Sequence, residues 1–162
     1  MGLMTGKRGL IMGLANDKSI AWGVAKALAA EGAELAFSYQ GDALLKRVQP
    51  LAESLGSSLM VPCDVGDEAS LDALFNTLKS EWGSLDFVVH AIGFSDKNEL
   101  RGRYVETSPG NFAMTMNISV YSFTAVCQRA EKMMPNGGSL LTLTYYGAEK
   151  VMPHYHVMGV AK

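Results

Sequence analysis

The sequence has little of what marks secreted, membrane-spanning or nucleic-acid-binding proteins. Its two cysteines, Cys63 and Cys127, lie far apart with no histidine at ligand spacing, so we expect two buried reduced thiols and no metal site. The formal net charge of -2 provides no basic surface for nucleic acid. Residues 1–8 contain no basic region leading into a long apolar stretch, which predicts a cytoplasmic protein.

What the chain does contain is an alternation of strand and helix patterns. Hydrophobic residues make up 48% of its 162 residues, enough for one core, and we interpret residues 1–162 as a single domain. Short apolar runs predict five buried strands, at 9–12, 35–37, 59–61, 87–89 and 140–143. One-faced helical patterns separate them, beginning with Ile20, Val24 and Leu28. This alternation predicts an α/β fold, a doubly wound parallel sheet of the Rossmann type.

Two longer segments add to this picture. Residues 93–110 are rich in glycine and predict a long loop, and residues 107–128 carry no charged side chain although they are too polar to span a membrane. A helix without charge is best explained by burial on two sides, so we expect a homo-oligomer. Only five strands are present and Lys162 falls early in a helix, so we expect C-terminal strands and substrate-binding helices to be absent from this chain.

The turn after the first strand has the features of a pyrophosphate site. Gly13 permits a tight turn, and the helix start at Ser19 and Ile20 offers free amides and a positive dipole. The match to G-x-G-x-x-G is imperfect, because Ala15 holds the second position and Gly23 comes late. A plain glycine turn between strand and helix remains the alternative.

The next three strands also end in residues suited to a nucleotide. Gln40 follows the second strand, Asp64 and Val65 follow the third, and Ile92 and Gly93 follow the fourth. Singly, such residues are more often helix caps or loop starts, but their joint placement at one sheet edge indicates dinucleotide binding.

The sequence after the second strand also bears on the choice of nucleotide. No cation occurs there before Lys46, and Asp42 would repel a ribose phosphate, which favours NADH over NADPH.

The last nineteen residues, TYYGAEKVMPHYHVMGVAK, hold the candidate catalytic groups. Tyr145 follows the fifth strand, and Pro153 is placed to begin a helix. Tyr155 and Lys162 are seven residues apart, which on a helix brings both side chains to nearly one face with a drift of about 20°. A tyrosine hydroxyl near a cationic lysine can stabilise a developing oxyanion, although both residues could instead be amphipathic surface side chains. We interpret His154 and His156 as surface residues.

Several motifs together resemble one known family: GLANDKSIAWG at 13–23, YQ at 39–40, CDV at 63–65, HAIGF at 90–94, ISVYSF at 118–123, and LTLTYYGAEK with PHYHVMGVAK at the end. They are similar to the short-chain dehydrogenase/reductase superfamily and, within it, to the bacterial NADH-dependent enoyl-acyl-carrier-protein reductases. Most of the superfamily carries lysine four residues after the tyrosine, where this chain has Gly159. Two features resemble the enoyl reductase branch: the spacing of seven residues from Tyr155 to Lys162, and Tyr145 where most members carry a serine after the fifth strand.

The resemblance implies a reaction and a set of contacts. Hydride would pass from NADH to a trans-2-enoyl thioester on acyl carrier protein, with Tyr155 stabilising the enolate, Tyr145 close by and Lys162 orienting the cofactor. Ser95 would lie at the substrate, and the oligomer would be a tetramer. The implied cofactor-binding residues are Gly13, Ala15, Ser19, Ile20, Gln40, Asp64, Val65, Ile92, Gly93 and Lys162. Two alternatives remain: a short-chain reductase acting on a carbonyl or hydroxyl group, and a non-catalytic nucleotide-binding fragment.

Overall fold

A five-stranded sheet forms the centre of the protein, in the order β3-β2-β1-β4-β5. The computed structural model describes residues 2–162. The strands are β1 (Arg8–Met12), β2 (Glu34–Tyr39), β3 (Met60–Pro62), β4 (Phe87–His90) and β5 (Ser139–Thr142). All adjacent strands are parallel, which confirms the predicted doubly wound fold.

Helices cover both faces of this sheet. They are α1 (Ile20–Ala30), α2 (Asp42–Ser54), α3 (Glu68–Trp82), α4 (Pro109–Met116), α5 (Ser122–Ala130) and α6 (His156–Ala161). A π-helical segment, Asn117–Tyr121, joins α4 to α5. The charge-free stretch is therefore helical, as predicted, but it consists of three consecutive helical segments. The loop before α4 contains a single 3₁₀ turn, Tyr104–Glu106.

Two apolar layers result from the alternation of side chains along the strands. Leu10 and Met12 of β1 belong to the cluster that includes α3 and α5, whereas Ile11 between them belongs to the cluster that includes α1 and α2. All three side chains are fully buried. A continuous apolar run in a parallel strand therefore serves both faces, as expected for a sheet covered on each side.

The buried face of α1 differs from the prediction. Ile20 is 69% exposed, while Ala21, Trp22 and Ala25 are buried. Val24 and Leu28 are half-buried and pack against the same cluster, so Ile20 is the residue that departs from the predicted face.

Strand β5 is paired but not buried, contrary to the sequence prediction. All four of its residues are exposed, with Leu140 at 36% and Leu141 at 44%. Adjacent strand residues point to opposite faces, so both faces of β5 are open. At the sheet edge β5 pairs only with β4 among residues 2–162, and none of its residues belongs to the two apolar clusters between the sheet and the helices.

The last helix also begins later than predicted. Pro153 lies in a turn, and α6 starts at His156 with Tyr155 as the preceding residue. His154, with a φ angle of 63°, interrupts the helical path after Pro153, and His156, with a φ of 23°, is the first residue of α6. Among residues 2–162, no helix is long and apolar enough to cross a membrane.

Candidate active site

The carboxyl ends of β1 to β4 surround a cleft of about 320 Å³. Its lining includes seven of the predicted cofactor residues: Gly13, Ala15, Gln40, Asp64, Val65, Ile92 and Gly93. The lining also includes residues for which the sequence held no signal, among them Leu44 from α2 and Ile118 from the π-helical segment. Helices that fold back over the strand ends supply these side chains, so their spacing in the chain does not reveal them.

Gly13 is required by the backbone at the floor of this cleft. Its φ angle is +90°, and a Cβ atom at this position would lie 2.0 Å from the carbonyl oxygen of Ala91. Both the dihedral angle and the space therefore exclude a side chain.

The start of α1 leaves amide groups free next to Gly13. Ser19 precedes the helix, but its Oγ atom accepts hydrogen bonds from the amides of Ala15 (3.1 Å) and Asn16 (3.0 Å) instead of capping α1. The first helical amides, at Ile20 and Ala21, have no acceptor within the helix. Because the Ser19 hydroxyl accepts two bonds, its own proton can be donated to an anion. Ser19 and Ile20 lie beside the cleft and are not part of its lining.

On the opposite side, Gln40 and Asp64 occupy the ends of β2 and β3. The chain turns at Gly41, with a φ angle of 75°, and enters α2 at the exposed carboxylate of Asp42. One carboxylate oxygen of Asp64 accepts a hydrogen bond of 2.8 Å from the amide of Gly66. The acidic groups at both strand ends are therefore open to solvent or ligand on at least one side.

Lys162 extends from the end of α6 to the wall of the cleft. Its Nζ atom donates to the carbonyl oxygen of Ile92 at 2.8 Å and, over a longer 3.4 Å, to that of Ser119. Burial lowers the pKa of this ammonium below its usual value. Since an ammonium has three N–H groups, one remains for a ligand.

Gly93 makes room for this lysine. A Cβ atom at Gly93 would lie 3.3 Å from Cε of Lys162 and 3.8 Å from Sδ of Met158. The predicted cofactor residue Gly93 thus has a second role, since it allows α6 to pack against the end of β4.

The two candidate tyrosines form a pair. The ring centroids of Tyr145 and Tyr155 are 5.2 Å apart, and the rings are tilted by 47°. The Oη atom of Tyr145 is buried and has no hydrogen-bond partner in the described chain. Burial, and to a lesser extent the neighbouring Tyr155, raises the pKa of Tyr145 above its ordinary value. Tyr155 is 46% exposed and lines a second cavity of about 380 Å³.

Tyr155 and Lys162 flank α6 but do not share one helical face as predicted: Tyr155 precedes the helix and lines the second cavity, whereas Lys162 donates to Ile92 of the first cleft. Gly159, between them, faces Tyr145: a Cβ atom there would lie 2.8 Å from the Gly147 carbonyl oxygen and 3.7 Å from Tyr145 Oη. There is therefore no room for a lysine at the position where most short-chain dehydrogenases carry one. His156 is only partly exposed and its Nε2 atom is buried, so its interpretation as a surface residue was wrong.

Ser95, the predicted substrate residue, is buried among polar groups of α4. Its hydroxyl donates to Oδ1 of Asn111 at 3.2 Å and accepts from Thr115 at 2.9 Å. The side chain is therefore occupied within the protein. Its hydroxyl serves to hold the loop against α4.

The sheet, the glycine turn and the open helix start define an α/β domain of the doubly wound class. A family model described as enoyl-(acyl carrier protein) reductase matches residues 13–162, and the chain belongs to this family. This confirms the resemblance predicted from the motifs.

Individual relatives are similar over nearly the whole chain. Enoyl-[acyl-carrier-protein] reductase [NADH] 1 of Rhizobium meliloti is 68% identical over 161 residues, which are 99% of this chain and 59% of that protein. The crystal structure of the enoyl-(acyl-carrier-protein) reductase from Anaplasma phagocytophilum in complex with NAD has a TM-score of 0.97 and 64% identity, covering 99% of this chain and 62% of that one. FabI from Candidatus Liberibacter asiaticus has a TM-score of 0.98 and 55% identity, covering 100% and 63%. The chain thus spans about 60% of the length of these relatives.

Proposed function

We propose that the protein is an NADH-dependent enoyl-acyl-carrier-protein reductase of fatty acid synthesis, which reduces the double bond of a trans-2-enoyl thioester. The observation that carries this proposal is the position of Lys162. Its ammonium is bonded to Ile92 in the nucleotide cleft, and the same short helix begins beside the paired Tyr145 and Tyr155. The NADH-dependent reductase relative at 68% identity supports the same reading.

The residues around the cleft fit a dinucleotide. Gly13 lines the cleft, and the start of α1, with the Ser19 proton, suits a pyrophosphate. The third N–H of Lys162 suits the ribose hydroxyl groups next to the nicotinamide. Gln40, Asp64, Val65 and Ile92 would contact the adenosine half, and the relative from Anaplasma phagocytophilum has NAD bound.

When bound, NADH supplies the hydride that is added to the β-carbon of the substrate. The chain's own residues would stabilise the charge that this addition creates on the thioester oxygen. Tyr155 is exposed on the side of the second cavity and can donate its proton to that oxygen, while the half-buried Tyr145 supports its ring. Donors that are held in place before the reaction stabilise an enolate more than they stabilise the uncharged substrate.

The preference for NADH over NADPH follows from the turn after β2. Asp42 is exposed at the start of α2, where a 2′-phosphate on the adenosine ribose would approach it. Like charges at short range disfavour binding, and the nearest cation in the sequence is Lys46.

A spectrophotometric assay of the protein expressed from its complete gene tests the proposal. NADH oxidation is followed with crotonyl thioester and, separately, with acetoacetyl thioester. We expect turnover with the crotonyl substrate and NADH. Turnover with acetoacetyl thioester alone would indicate a carbonyl reductase of the same superfamily, and binding of NADH without turnover of either would indicate a non-catalytic nucleotide-binding protein.

We also propose that the protein is a homo-oligomer, and its resemblance to the enoyl reductase family indicates a tetramer. The outward face of the α4–α5 stretch is apolar and uncharged, with Phe112, Val120 and Tyr121 between 40% and 46% exposed. A second copy of this face would bury it. Val120→Glu should lower the mass measured by light scattering, whereas Leu3→Glu, at a 90% exposed site on another part of the surface, should not.

We also propose that residues 1–162 are one dinucleotide-binding domain that further strands complete in the whole protein. The open faces of β5 and the greater length of the relatives support this. A cytoplasmic location goes with the proposal, since both cysteines are free thiols and cytosolic proteins keep thiols reduced.

A further inference from the structure

A buried histidine that takes no part in the proposed chemistry lies close to Lys162. His90, the last residue of β4, is fully buried, and both of its ring nitrogens have hydroxyl partners. Nε2 lies 2.8 Å from Oγ of Ser122 in α5, and Nδ1 lies 3.2 Å from Oγ1 of Thr142 in β5. The ring therefore connects three elements that meet beneath the cleft.

The direction of these hydrogen bonds follows from the single proton on each hydroxyl. Ser122 donates its proton to the carbonyl oxygen of Ile118 at 2.6 Å, so its oxygen can only accept from His90. His90 is therefore protonated on Nε2, which leaves Nδ1 as an acceptor; the single proton of Thr142 can go to Nδ1 at 3.2 Å or to the His90 carbonyl oxygen at 3.3 Å. Burial, and secondarily the charge of Lys162, lowers the pKa of His90 to about 4, so this neutral form persists at neutral pH.

The Ser122 hydroxyl holds the π-helical segment in place. The backbone amide of Ser122 bonds to the carbonyl oxygen of Asn117, five residues earlier, so the carbonyl of Ile118 is left for the side chain. The following carbonyl, that of Ser119, accepts from Nζ of Lys162. Such local widening of a helix frees carbonyl groups and is frequent at functional sites.

The other carbonyl group that binds Lys162 is that of Ile92, just after the strand that carries His90. Ile92 lies two residues after His90 at the end of β4, and its oxygen accepts the shorter bond, of 2.8 Å. We infer that His90 and Ser122 are positioning residues for Lys162: their hydrogen bond holds the end of β4 against the π-helical segment, so that the carbonyls of Ile92 and Ser119 together aim the ammonium at the cofactor. This inference rests on the proposed NADH-dependent function.

A pair of serine variants in the full-length protein tests it. Ser122→Ala removes a buried hydroxyl that donates to a backbone carbonyl, and Ser57→Ala does the same at a site remote from Lys162, where Ser57 donates to the carbonyl oxygen of Leu35. We expect both to lower the Tm. Only Ser122→Ala should weaken NADH binding, by about tenfold in Kd and in the KM for NADH, because Lys162 is no longer held in one orientation.

Substitutions of His90 supply a rescue and remain informative if Ser122→Ala does not fold. His90→Gln places an amide N–H where Nε2 was and should bind NADH like the wild type, whereas His90→Phe loses the donor and should bind it about tenfold more weakly. Equal NADH affinity in the two variants, or in Ser122→Ala and Ser57→Ala, would overturn the inference. Wild-type protein that binds no NADH would instead overturn the proposed function, on which the inference rests.

Discussion

The rings of Tyr145 and Tyr155 pack against each other with their centroids 5.2 Å apart, but the two hydroxyls have different surroundings. Tyr145 Oη is buried without a partner in the described chain, while Tyr155 is 46% exposed. An aromatic pair of this kind restricts the orientation of the exposed ring. Tyr145 thus supports Tyr155, and Tyr155 is the better placed of the two to reach a substrate.

The first prediction concerns the Tyr155 hydroxyl. In the full-length protein, Tyr155→Phe should lower kcat by roughly 10²- to 10³-fold, since it removes one donor to the developing oxyanion and keeps the ring packing. The Kd for NADH should not change. Steady-state kinetics and fluorescence titration measure the two quantities, with Tyr146→Phe, at a 63% exposed neighbour, as the control. A normal kcat in Tyr155→Phe would contradict the assignment.

The second prediction concerns the Lys162 ammonium. Lys162→Met keeps most of the side-chain volume but loses the charge and all three donors, so NADH should bind roughly 10- to 100-fold more weakly. Lys150→Met changes an exposed lysine next to the second cavity and should leave NADH affinity intact. Isothermal titration compares the two, and equal affinities would rule out the proposed contact.

The third prediction separates two effects of a glycine. Gly13→Ala introduces both a strained φ angle and a contact of 2.0 Å with the backbone of Ala91, so it should destabilise the protein by more than about 2 kcal/mol and abolish NADH binding. Gly56 has a similar φ of +77° with no atom within 4 Å, so Gly56→Ala should cost only about 1 kcal/mol. Thermal unfolding measures both, and equal losses of stability would show that the contact is unimportant.

The fourth prediction concerns the lysine position used by most of the superfamily. Gly159→Lys should not restore NADH binding to Lys162→Met, because a Cβ atom at this position meets the Gly147 carbonyl oxygen at 2.8 Å. The double variant is compared with Lys162→Met by isothermal titration. Gly110→Lys, at an open position in α4, controls for adding a lysine. Recovery of affinity in the double variant would show that α6 can move to make room.

The fifth prediction is a pH dependence of stability. His90 has a pKa of about 4 in the folded protein and an ordinary value of 6.5. Between these values the unfolded chain binds a proton that the folded protein does not, so the stability contributed by neutral His90 is complete above pH 6.5 and is lost as the pH falls towards 4. The slope from this group is at most about 1.4 kcal/mol per pH unit.

Urea unfolding at a series of pH values checks this prediction, with His90→Gln as the comparison. The variant retains His154 and His156, so the difference between the two proteins isolates His90. Parallel curves for the wild type and His90→Gln would contradict a buried neutral ring.

Much of the nucleotide cleft was predictable because the ends of parallel strands converge at one sheet edge. Gly13, Gln40, Asp64 and Ile92 could be assigned to that edge from strand patterns alone. The buried face of α1 could not be predicted, because Ile20 and Trp22 are both apolar and only packing against the sheet decides which of the two is buried. The beginning of α6 was missed because the positive φ angle of His154 has no signal in the sequence.

The order of strands and helices along the chain, the glycine turn after β1 and the family of the protein could all be predicted from the amino-acid sequence. Each of these depends on residues close together in the chain or on a periodic pattern. The way in which Lys162 is held could not be predicted, since its acceptors at Ile92 and Ser119 lie 70 and 43 residues away and meet it only in the folded protein. Those carbonyls become available where a strand ends and where a helix widens, and the packing of His90 against Ser122 brings the two places together.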